Sequence, residues 1–89
     1  MEKVGKMKEL LEKAVESGTI WLLLASLVSA DNNHSAQDCE KTLAVLEDMR
    51  NAMMHEDIKM EIETYNKIME YIDSIQDTIE QDLSEFKSN

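Results

Sequence analysis

Proline is absent from the 89 residues, and glycine occurs only at Gly5 and Gly18. Sheet proteins turn often, and their turns draw on those two residue types. Their scarcity argues against a many-stranded fold and for a few long helices. Cysteine occurs once, at Cys39, so no intrachain disulfide can form. Bases are also scarce: nine against 19 acids, a formal net charge of −10. Phosphate backbones and anionic membranes repel such a chain. No direct nucleic-acid binding and no membrane binding are therefore expected, and the electrostatically natural partner is a protein with a basic surface.

The chemical motifs are missing too. There is no Glu-x-x-His pair for a di-iron bundle, no glycine-rich phosphate loop and no dinucleotide fingerprint. No spacing ties His34 or His55 to Cys39 and a carboxylate. A non-enzymatic protein without cofactor or metal is the expectation. Long apolar runs are limited to Ile20–Val28, too short for a bilayer, which takes about 20 residues. That run, with Val28-Ser29-Ala30 after it, has the outline of a signal peptide. Glu2, Glu9, Glu12 and Glu16 balance Lys3, Lys6, Lys8 and Lys13 before it, however, and this stretch is long for an n-region. A cytoplasmic location is expected.

Hydrophobic residues make up 43% of the chain, too many for a disordered one. The length fits one domain over 1–89. A monomer of this size buries only about 60–65% of the surface its unfolded chain exposes. Its core is thin, which favours association with itself or a partner.

Three helices are predicted, at about 2–30, 35–54 and 57–87. In the first, Val4, Met7, Leu11, Ala14, Gly18, Trp21, Ala25 and Val28 follow a 3-4 spacing on one stripe. The stripe keeps phase across Gly18, so this helix is expected to continue through it. The alternative is a break at Ser17-Gly18-Thr19. Asp31-Asn32-Asn33-His34 reads as a polar loop. Ser35 then reads as an N-cap, with Asp38 complementing the helix dipole three residues on. The second helix carries its apolar stripe on Cys39, Leu43, Leu46, Met49 or Arg50, and Met53. The third has the strongest period. Ile58, Ile62, Tyr65, Met69, Ile72, Gln76, Ile79, Leu83 and Phe86 form a seam of about four heptads, widened by Ile68 and Ile75. A turn near His55-Glu56-Asp57 explains why the last two stripes differ in phase. The fold class is all-α: an antiparallel three-helix bundle with long first and third helices, oligomeric with coiled-coil-like packing.

Two surfaces stand out for function. Ile20–Val28 is apolar on every side, and a short chain can hardly cover it. An oligomer interface on Trp21, Leu22, Leu24 and Leu27 follows, with Gln76 as a polar residue able to fix register in the seam. The simpler alternatives are a central core helix and a solvated Gln76. The second surface is acidic. Residues 56–89 hold ten acids and three bases, whereas residues 1–34 are near neutral. Glu63, Glu70, Asp73, Asp77 and Glu80 recur at helical spacing on one side. They read either as a face that binds a basic protein or as a solvated surface that keeps the protein soluble.

Cys39 lies in the first turn of the second helix, but Asp38 and Glu40 oppose its ionisation, and a small core residue is the plainer reading. Seven methionines, with Met49, Met53 and Met54 clustered, suit core filling or an adaptable surface. No motif carries a resemblance to a family. The general character is shared by phage-encoded inhibitors of host defence, nucleic-acid mimics and small chaperones or adaptors. The function expected is a binding protein acting by protein–protein contacts, in one version an inhibitor of a nucleic-acid-binding protein. The alternatives are a homo-oligomer that holds a small ligand between subunits, with Tyr65, Tyr71, Lys67 or Gln76 as polar contacts, and an assembly adaptor.

Overall fold

A computed structural model describes residues 2–88, with side chains described from residue 6 onward. Among them are four α-helices and no strand: α1 (Glu2–Ser17), α2 (Ile20–Val28), α3 (Ala36–His55) and α4 (Ile62–Ser88). A single 3-10 turn, Ala30–Asn32, joins α2 to α3. The expected first helix is thus two helices. Gly18 stands at φ +79°, in the left-handed region. Its N–H donates to the Val15 carbonyl at 3.2 Å, and the Thr19 N–H donates to the Ala14 carbonyl at 2.9 Å. This pair of bonds is the Schellman termination, whose left-handed residue is usually glycine.

The physical reason for the break lies in packing. α1 packs against α3, whereas α2 packs against α4. One straight helix does not serve both partners. The redirection also resets the phase. Leu11 and Ala14 are buried in α1, but the buried residues of α2 are Ile20 and Leu24. Trp21 and Ala25, which continue the sequence stripe, are exposed. The side chain of Val4, the first residue of that stripe, lies outside the described ones.

Polar residues hold the connections. Asn33 Nδ2 donates to the carbonyls of Leu27 and Ser29, each at 2.8 Å, and Asn32 Nδ2 to that of Ser26 at 2.6 Å. These contacts satisfy carbonyls that the end of α2 leaves without helical partners. Ser35 caps α3, its Oγ accepting from the Asp38 N–H at 3.1 Å. The Asp38 carboxylate turns instead to His34 Nδ1 at 3.0 Å.

α3 and α4 form the most extensive helix pair. Their link is longer than expected: α4 begins at Ile62 rather than at 57. Extended chain here lets Ile58 and Met60 both pack against the core. Glu12 Oε2 of α1 accepts from the Lys59 N–H at 2.9 Å, and the Tyr65 hydroxyl donates to the Met53 carbonyl at 3.0 Å. The core consists of Leu11, Ala14, Ile20, Leu24, Cys39, Leu46, Met49, Ala52 and Met53, closed by Ile68, Ile72, Ile75 and Ile79 of α4. The centre of the α4 face is therefore rotated from the sequence seam. Ile68 and Ile75 lie at its heart, while Ile62 is 69% exposed and Gln76 stands at the edge. Among the described residues no helix is long and apolar enough to cross a membrane.

Candidate functional site

α4 carries the acidic surface. Its 27 residues make a rod of about 40 Å at 1.5 Å per residue, close to the 43 Å long axis of the molecule. Four buried isoleucines fix which side faces outward. Glu63, Glu70 and Asp77 are all exposed, at intervals of seven residues. That interval is about 10.5 Å along the axis and nearly in phase with the helix. Among the described residues none of the three has an ion-pair partner. Asp73 and Glu80, grouped with them by spacing, lean toward α3 instead. Arg50 of α3 pairs with Asp73 and donates to Gln76 Oε1 at 2.6 Å. Gln76 Nε2 in turn donates to Glu80 Oε2 at 3.3 Å. The expected ladder of five is thus an outward row of three and a cluster of two drawn to the α3–α4 groove. Gln76 finds its partners within the chain.

The apolar surface on α2 is smaller than its composition implies. Leu24 is fully buried in the chain's own core, and Leu27 is half-buried. Leu22 is 73% exposed and Trp21 40% exposed. The Trp21 ring stacks on Tyr71 of α4 at a centroid distance of 6.1 Å, which keeps one ring face inside. Leu22, Ala25 and Ser26 lie on the outer side, and α2 contains no charged residue at all.

Cys39 is buried, and its Sγ lies 4.0 Å from the Asn33 carbonyl. Burial pushes its thiol up, and the carboxylates of Asp82, Asp38 and Glu40 add to that shift. A thiol so placed is a poor nucleophile, because the reactive form is the thiolate. Met49 and Met53 are core residues, whereas Met54 is exposed. Among the described residues no group of three or more His, Cys, Asp or Glu side chains is arranged to hold a metal ion. Of the polar groups expected for a ligand between subunits, the Tyr65 hydroxyl donates to the Met53 carbonyl, and the Tyr71 ring stacks on Trp21.

Comparison with protein-family models, with curated proteins and with solved structures finds no match.

Sequence reasoning missed one further feature. A groove of about 620 Å³ opens between α1 and α3, with Met7, Leu10 and Ala52 as apolar lining and Asp48, His55 and Glu56 among its polar lining. No local signal marks it.

Proposed function

We propose that this chain is a non-enzymatic binding protein that engages a basic-surfaced protein through the outward row of Glu63, Glu70 and Asp77. The observation that carries this reading is the row itself. Three exposed carboxylates without internal ion-pair partners stand in line on a helix whose opposite face is locked in the core. A rigid line of charge is matched by a complementary basic surface, and such complementarity speeds encounter and selects partners. One natural target is a protein whose basic surface otherwise holds nucleic acid, in which case the chain acts as an inhibitor by occupying that surface. The test is capture of a partner from cell lysate with washes of rising salt. Exposed charge pairs are screened over about 10 Å at 0.1 M salt. Release of a specific partner as salt rises supports the reading, and retention at all salt concentrations opposes it.

Self-association through α2 belongs to the same proposal. Two copies of a chain with charge −10 repel one another, and repulsion is least where the contact is uncharged. α2 is that place, with Leu22 and Trp21 as the apolar contacts. A location in the cytoplasm fits the single buried cysteine.

A further inference from the structure

We propose that two copies of this chain exchange α1: α1 and α2 straighten into one helix, which carries α1 onto α3 of the other copy. The exchange rests on self-association through α2 and gives that contact a geometry. Its starting point is an apolar stripe that the monomer leaves divided. On a straight helix, at about 100° per residue, Leu11, Ala14, Trp21, Leu22 and Ala25 fall within a sector of about 100°, with Gly18 near its middle. The break at Gly18 splits this sector. Leu11 and Ala14 are buried, whereas Trp21 and Leu22 are 40% and 73% exposed and Ala25 is exposed.

The other side of α2 decides where a straightened α1 goes. Ile20 and Leu24 are buried where α2 packs on α4. On a straight helix they centre about 130° round from Leu11 and Ala14. With α2 seated on its own α4, such a helix turns Leu11 and Ala14 away from its own core, so only a second copy covers them. Two-fold exchange does this without loss, because each α1 takes the place on α3 that the other has left. The bond from the Lys59 N–H to Glu12 Oε2, 2.9 Å within the monomer, then re-forms between chains. Trp21, Leu22 and Ala25 come to face the other copy. A helix apolar on every side is thereby covered on both, by its own α4 and by the partner.

The hinge suits the change. Two hydrogen bonds close the break, from the Gly18 N–H to the Val15 carbonyl and from the Thr19 N–H to the Ala14 carbonyl. A continuous helix replaces both with its own regular bonds. Glycine adopts the left-handed and the helical backbone about equally readily, and no atom stands within 4 Å of a Cβ built at this position.

The test uses the full chain. Isotope-labelled and unlabelled protein are mixed in urea, refolded together at high protein concentration and high salt, and separated by size exclusion. Each fraction is treated with a water-soluble carbodiimide, which joins carboxylates to amines, and the Glu12–Lys59 cross-link is read by mass spectrometry. The expected result is a dimer in which this cross-link joins labelled to unlabelled chains, and a monomer in which it stays within one chain. Gly18→Ala disfavours the left-handed break and favours continuous helix, so it is expected to lower the dimer dissociation constant about tenfold or more, while remaining monomeric in dilute solution. Two glycines inserted after Gly18 are expected to remove the exchanged dimer, since a longer hinge lets α1 return to its own α3. A dimer whose Glu12–Lys59 cross-links stay within one chain would overturn the exchange and leave the α2 contact standing. Absence of a dimer from both the parent and Gly18→Ala would overturn both. A Gly18→Ala dimer no tighter than the parent's would overturn the straightening at Gly18.

Discussion

A Cβ at position 18 would stand in the left-handed backbone region, at a cost of about 1–2 kcal/mol. It would meet no atom within 4 Å, so conformation alone sets the penalty. Gly18→Ala should lower stability in urea by about 1 kcal/mol, and Gly18→Asn by less, because asparagine tolerates this region better. An alanine variant as stable as the parent would mean that α1 and α2 fuse without loss. Cys39 gives a residue-scale prediction of another kind. Its thiol ionises less readily in the fold than in the unfolded chain, so the unfolded chain loses its proton at lower pH. Stability should therefore fall as pH rises through the ordinary range of a free thiol, and this contribution is constant below it. At neutral pH a thiol reagent should label the native protein far more slowly than the urea-unfolded protein, measured by mass spectrometry.

At the scale of elements, local signals were legible and changes of partner were not. Ser35 announced the start of α3 because an N-cap acts within one turn. Ser35→Ala should cost about 1 kcal/mol, read from urea denaturation. The isoleucine-rich period of α4 was equally plain, since it repeats over a long helix. The break at Gly18 was hidden by a stripe that kept phase across it. Its cause is tertiary: α1 faces α3 and α2 faces α4, and no short-range pattern records that exchange. The same exchange explains why Leu22 and Leu24 were grouped together in sequence although they differ in role. Leu24→Asp would bury a charge in the core and should unfold the protein. Leu22→Asp should leave the helical signal and melting temperature near those of the parent. The rotation of α4 has a similar origin. Of the seam from Ile58 to Phe86, Ile72 and Ile79 are buried as spaced, but the helices packed on α4 also draw in Ile68 and Ile75, which the spacing places beside the seam, and leave Ile62 exposed. The acidic row was readable in part. Which acids are left without ion-pair partners depended on Arg50, whose pairing with Asp73 spans two helices.

The whole molecule is slightly elongated, with a radius of gyration of 13.4 Å where a compact chain of this length has about 12 Å. Its charge is uneven: α2 has none, and α4 carries seven acids against two bases. The two proposed contacts thus respond to salt with opposite signs. Self-association through α2 brings like-charged molecules together, so screening should strengthen it, and Leu22→Asp should abolish it, both read as mass by sedimentation equilibrium. Partner binding through α4 joins opposite charges, so screening should weaken it. The most direct test is capture of that partner from lysate at low and high salt by the parent and by a variant carrying Glu63→Gln, Glu70→Gln and Asp77→Asn. These positions are exposed, so the variant should fold as the parent does. The account predicts a specific protein held by the parent at low salt, released at high salt, and not held by the variant. Equal retention by parent and variant would contradict it and remove the row on α4 as the binding surface.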